Sequence, residues 1–181
     1  MRISENRYRR DQRSIRIAMC FLELEARTQT IRTWTGLSGD RVRKLYREYM
    51  ATASRFVTRR RGKSPQQVAY FWNTARIRQE ATWLASLLTL LGVITRDQIA
   101  NQGQQSFPDL ERAELLCRAY GIYQSMIPSS QISFEHAVFL ARILWNGNQI
   151  RLGTCPDCGG LVIVDPLSTH DKRCNQCATT D

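Results

Sequence analysis

The run Thr28-Gln29-Thr30-Ile31-Arg32-Thr33-Trp34-Thr35-Gly36-Leu37-Ser38-Gly39-Asp40-Arg41-Val42-Arg43-Lys44-Leu45-Tyr46-Arg47 carries two short helical patterns on either side of a glycine. A helix-turn-helix needs apolar residues where its helices cross and a glycine where the chain turns between them. Ile31, Gly36, Leu37, Val42 and Leu45 fall in those places, while Arg32 stands where a small residue would pack best. At about 100° per residue, Val42, Leu45, Tyr46 and Tyr49 share one face of the second helix. Arg43, Lys44 and Arg47 lie on the opposite face, free to enter a major groove or clasp phosphates. An ordinary helical hairpin with a charged exterior shows the same pattern, so the surroundings must decide.

Working outward, Ile15, Ala18/Met19, Leu22 and Ala26 recur at helical spacing and predict a helix over Asp11–Arg32. A break follows at Thr35-Gly36, and Ser38 is placed to cap a second helix over Asp40–Met50. Arg59-Arg60-Arg61-Gly62-Lys63-Ser64-Pro65 reads as a basic loop, and Gln66–Ile94 as one long helix or two. Asn101–Pro108 is a loop; Asp109 opens a helix through Leu110, Ala113, Leu116 and Tyr120 that ends by Pro128. Ser133 caps another, from Phe134 through Trp145, which stops at Gly147. Beyond it, Leu161-Val162-Ile163-Val164 is a short β-like run. The longest apolar stretch, Ala81–Ile94, is fourteen residues with polar Thr82, Ser86 and Thr89 inside it. A membrane span needs roughly 20 apolar residues, so this is read as a buried helix and no membrane partner is expected.

Charge sharpens the first reading. The 181 residues carry 26 Lys and Arg against 16 Asp and Glu, a formal +10. Residues 1–63 hold 17 basic and 6 acidic side chains, net +11; residues 64–181 hold 9 and 10, net −1. One third of the chain therefore carries the whole excess, and a polyanion site belongs there. Double-stranded DNA is the expected partner, with Arg41, Arg43, Lys44, Arg47, Arg59, Arg60, Arg61 and Lys63 as the candidate contacts. The N-terminal residues have no apolar segment after their charges, so a secretory signal is not expected and a cytoplasmic, reducing setting is.

In that setting the cysteines point to metal. Cys155-Pro156-Asp157-Cys158 and Cys174-Asn175-Gln176-Cys177 form C-x2-C-x15-C-x2-C. Two residues between cysteines let both thiolates of a knuckle reach one metal, and two knuckles close a tetrahedral four-sulfur site suited to one structural Zn²⁺. Gly159-Gly160 supply the turn leading out. So short a segment cannot bury enough surface alone, and the metal should contribute ~10–16 kcal/mol of apparent binding energy to its folding. Four thiolates leave no open position for catalytic water. His170 could replace a ligand, but the four cysteines make that unnecessary. A redox pair or disulfides are the competing readings; neither suits a doubled knuckle without a βαβ pattern. Cys20 and Cys117 lie on apolar helix faces as packed thiols.

These elements predict a mainly α protein: a helical body with a helix-turn-helix-like N-terminal region and a small C-terminal four-cysteine zinc module. The boundaries are residues 1–63 for the basic region, 64–150 for the helical core and partner-binding region, and 151–181 for the zinc-ribbon-like module. Aromatic and leucine-rich segments at 70–94 and 110–145 offer more apolar surface than a small helical body needs, which predicts an obligate interface. An enzyme is not expected. His136 sits in an amphipathic helix as a structural residue, no phosphate-cradling glycine loop occurs, and Glu23, Glu25 and Asp40 make no paired-carboxylate motif. The alternatives are a zinc-ribbon adaptor that binds only proteins and a nucleic-acid-modifying enzyme.

The segment Leu37–Glu48, the basic Gly62-Lys63-Ser64-Pro65 followed by Tyr70-Phe71-Trp72, and the knuckles opening with Cys155-Pro156-Asp157-Cys158-Gly159-Gly160 occur in an order that resembles the FlhC family. That family supplies a subunit of the bacterial flagellar master transcriptional activator. The resemblance extends over nearly the whole chain. It implies a largely helical protein whose zinc ligands here are Cys155, Cys158, Cys174 and Cys177. It also implies a hetero-oligomer, a heterohexamer with FlhD, that binds promoters of flagellar genes and recruits the housekeeping RNA polymerase.

Overall fold

The computed structural model describes residues 2–52, 60, 62–94, 107–167 and 173–178. It is mainly helical, with one two-stranded sheet near the C-terminus. The chain divides into two compact units, Met1–Ser64 with Ser106–Cys117 and Pro65–Gln105 with Arg118–Asp181.

The first unit begins with α1, Arg2–Glu23, followed by α2, Thr28–Thr35, and α3, Gly39–Thr52. The periodicity over Asp11–Arg32 predicted one helix, and the structure breaks it in two. Glu25 takes the left-handed conformation at φ 59°. The Glu25 N–H donates to Leu22 O at 3.0 Å and the Ala26 N–H to Phe21 O at 2.8 Å. These two bonds form a Schellman cap, which satisfies carbonyls at the end of α1 and turns the chain. Phe21 and Ala26 are both buried, as the apolar contact of such a cap requires. Because glutamate holds the place usual for glycine, periodicity alone ran through the stop.

The predicted turn between α2 and α3 is present. Gly36 ends α2 in the left-handed region at φ 71°, its N–H donating to Arg32 O. Buried Leu37 follows, and Ser38 Oγ accepts from Arg41 N–H at 3.3 Å at the start of α3. Ile17, Ala18, Phe21 and Leu22 of α1 are buried, as are Ile31 and Trp34 of α2 and Val42 of α3. The three helices pack on one another. Ser14 Oγ donates to Thr35 O at 3.0 Å, fastening α1 to the turn.

In the second unit the long apolar segment forms a 3₁₀ turn, Val68–Trp72, and then α4, Ala75–Leu90. Thr74 separates them as an N-cap whose side chain accepts from Ile77 N–H. Next come α5, Leu110–Met126, whose residues from Arg118 onward belong to this unit, and α6, Phe134–Asn146, capped by Ser133. Strands β1, Arg151–Thr154, and β2, Leu161–Val164, pair antiparallel with Arg151 opposite Val164 and Thr154 opposite Leu161. A last short helix, α7, spans Asn175–Ala178. Leu84, Ala85 and Leu88 of α4 and Phe139, Leu140 and Ile143 of α6 are buried, and α4 packs against both α6 and β2.

Glu80 is the polar centre of this unit, 3% exposed. Burial pushes its carboxyl up, but hydrogen bonds from Arg76, Ser130, the Gln131 N–H and Tyr123 outweigh that and hold it below the usual range. They join α4 to α5 and to the chain before α6. No described helix is long and apolar enough to cross a membrane.

Candidate functional site: a cysteine cluster and a cationic helix face

The second unit brings all four predicted cysteines together. Their sulfurs lie within 4.8 Å of one another, and Cys158 Sγ is 3.7 Å from Cys174 Sγ. Sulfurs around a tetrahedral Zn²⁺ with bonds near 2.3 Å stand about 3.8 Å apart, so the spacing suits such an ion. Cys155 and Cys158 sit in the connection from β1 to β2. The Cys155 N–H donates to Gly160 O at 2.8 Å and the Gly159 N–H to Cys155 O at 2.9 Å. Gly159 takes φ 70°, the positive angle expected of the turn. Cys174 precedes α7 and Cys177 lies within it.

Backbone N–H groups are aimed at the sulfurs, as a metal knuckle requires. Cys174 N–H lies 3.4 Å from Cys155 Sγ, and Cys177 N–H 3.4 Å from Cys174 Sγ. Such donors, from Cys174 first and then Cys158, lower the Cys155 thiol to about 6. The Cys177 N–H likewise lowers Cys174. The Gly160 N–H favours the Cys158 thiolate, yet contacts with Cys155 and Cys174 leave that thiol raised. Contact with Cys174 raises Cys177. Four crowded sulfurs cannot all carry charge without a cation among them, whereas a dication would favour four thiolates.

Three bonds seat this cluster on α4. Asn175 Nδ2 donates to Ala75 O at 2.6 Å, Arg78 to Arg173 O at 3.3 Å, and the Ile163 N–H to Thr82 Oγ1 at 3.4 Å. Arg173 also pairs with Asp157 across the two knuckles at 3.2 Å. His170, the candidate alternative ligand, lies outside the described residues. His136 lies in α6 and stacks on Tyr70 at 3.9 Å, its Nδ1 2.8 Å from Ser133 Oγ. Cys20 and Cys117 belong to the first unit, where their half-buried thiols hydrogen-bond each other.

The first unit presents the cationic residues unevenly. Arg43, Lys44 and Arg47 are exposed on α3, opposite buried Val42 and half-buried Leu45, Tyr46 and Tyr49. Arg41 turns inward and binds Asp11 of α1 with both guanidinium nitrogens, at 2.6 and 2.5 Å. That pairing holds the Asp11 carboxyl below its usual range. Arg43 bonds Asp40, and Lys44 lies 3.8 Å from Glu48. Arg60 donates to Glu25 at 2.9 Å. Arg47 and Lys63 are exposed and meet no acid among the described residues. Arg59 and Arg61 lie outside those residues.

Sequence reading missed the internal acids. Asp11, Glu25, Asp40 and Glu48 each occupy a candidate contact, and only Asp40 and Glu48 stand at a helical spacing that would signal it. Arg32, which stands where a small residue would pack best, is exposed.

Comparison with known proteins covers both regions. Residues 4–180 match the family described as "Flagellar transcriptional activator (FlhC)". The chain is also similar to the "Flagellar transcriptional regulator FlhC" of Verminephrobacter eiseniae (strain EF01-2), 25% identical over 171 residues that cover 92% of this chain and 82% of that one. Helical body, turn and terminal cysteine cluster therefore fall within one matched span, and the chain belongs to the FlhC family of flagellar transcriptional activators.

Proposed function

We propose that the chain is the DNA-contacting subunit of a transcriptional activator, acting with an FlhD-like partner at flagellar promoters to recruit RNA polymerase. The observation that carries the reading is the solvent face of α3. Arg43, Lys44 and Arg47 stand there together, on a helix held by the α2–α3 turn, within the third of the chain that holds the charge excess. Phosphate neutralisation supplies affinity by releasing counterions, and side chains on α3 read base edges. Arg47 and Lys63 are the first contacts; Arg43, Lys44 and Arg60 join by exchanging a surface carboxylate for phosphate. Such exposed pairs hold weakly, so the exchange is easy.

The four cysteines hold one Zn²⁺, which would bind the second knuckle to the hairpin and leave no position for catalysis. Trp83 and Leu90 of α4 and Ile122 and Met126 of α5 remain exposed in the segments expected to meet a partner, which supports a subunit that works in a complex.

Co-expression with an FlhD-like subunit, followed by duplex binding at several salt concentrations, tests the reading. If about six phosphates are contacted, log K falls against log salt with a slope near −5. An assembly indifferent to double-stranded DNA, or binding it without salt dependence, overturns it. Metal analysis of the same sample should find one zinc per chain.

A further inference from the structure

Arg32 has a place in the fold that its position in the sequence does not suggest. It leaves α2 exposed and reaches across the turn to the start of α3. A Cβ built on Gly39 would stand 3.7 Å from Arg32 Cδ, 3.8 Å from Arg32 Nε and 3.8 Å from Arg43 Nη1. Two guanidinium side chains therefore border one space, the space that a side chain at residue 39 would fill. Gly39 is not among the residues with positive φ, so its backbone does not demand glycine. The contacts are ordinary van der Waals distances, and an alanine would fit without strain.

The local charges do not balance. Asp40 bonds Arg43, while Arg32 has the neutral Gln29 side chain, its Nη1 3.3 Å from Gln29 Oε1. Arg41 is turned away onto Asp11. Among the described residues two cations thus converge against one carboxylate, and a second anion would relieve their repulsion.

We propose that Arg32 and Arg43 together seat one backbone phosphate of the bound duplex over Gly39, and that Asp40 releases Arg43 as the phosphate arrives. The proposal rests on the DNA-binding reading above, in which Arg43 already meets phosphate, and adds Arg32 as its partner on the same phosphate. Guanidinium groups suit the task because their fixed fork of donors matches phosphate oxygens. Asp40 holds Arg43 in position in the free protein and weakens binding by the cost of displacing it.

The test is anisotropy titration of a random-sequence duplex with the full chain in its co-expressed complex. Arg32→Ala and Arg43→Ala should each weaken binding roughly tenfold and reduce the salt slope by about 1. The double variant should lose little more than either single one, since both groups serve one phosphate. Gly39→Ala, which fills the space, should weaken binding with no fall in melting temperature, and Asp40→Asn should tighten it. Wild-type binding that Arg32→Ala leaves unaltered in affinity and slope overturns the proposal, as do losses that add in the double variant. Failure of the wild-type complex to bind any duplex overturns the DNA reading and this contact with it.

Discussion

The α1–α3 region and the cysteine module both hold short elements in place, by opposite means. The three helices bury Ile17, Phe21, Ile31, Trp34, Leu37 and Val42 along a shared seam, and their charges pair at the rim. The module has two four-residue strands and a four-residue helix, with Val162 and Ile163 as its buried apolar residues in β2. Its closure depends on four sulfurs and the bonds to α4. Burial is graded, so one substitution in the helical region removes part of its stability. A four-ligand site is nearly all-or-none, because each thiolate depends on the other three to hold the ion. The proposed function divides along the same line: cations can face solvent where apolar packing holds the backbone, while the cysteines would be consumed in holding theirs.

The largest effect should come from the module. Cys174→Ser, or a strong chelator, should release the metal and expose 151–178 to protease while α1–α3 stay folded, read by metal content and limited digestion. Simultaneous loss of both regions would break the contrast between them. Glu80→Ala comes next, at about 2–4 kcal/mol, because the Gln131 N–H and the Ser130 and Tyr123 hydroxyls lose a buried acceptor. Denaturant melts measure it. The Glu80 carboxyl is held below its unfolded value, so its contribution is complete above about pH 4.3 and is lost as pH falls through the lower folded value. In Glu80→Gln that acid-side loss should shrink.

Smaller changes separate structural from binding arginines. Arg47→Ala should reduce the salt slope of duplex binding by about 1 with no change in melting temperature, whereas Arg41→Ala should leave the slope intact. Equal effects on the slope would erase the distinction that Asp11 makes between them. The smallest effect belongs to Asp11→Asn. It should lower the melting temperature slightly at low salt and not at all at high salt, since the pair is part-exposed and screened.

Much of this was legible along the chain because it is local. A two-residue spacing between cysteines sets what one knuckle can ligate, and Gly36 with Ser38 marks a turn within a few residues. The end of α1 was not legible, since a glutamate, Glu25, takes the left-handed position that glycine usually marks. The 3₁₀ turn before Thr74 was hidden too, under an apolar run that continues through it. Among the basic residues, count and face followed from composition and helical period.

The amino-acid sequence by itself determined the mainly helical class, the turn between α2 and α3, the cysteine quartet and the crowding of charge into residues 1–63. Only the tertiary structure decided which of those charges are spent inside the protein. It set Asp11 under Arg41, thirty positions later, and drew Arg32 and Arg43 to the same glycine. The reason is that charge is a property of a residue, while its availability depends on what the fold places within a few ångströms.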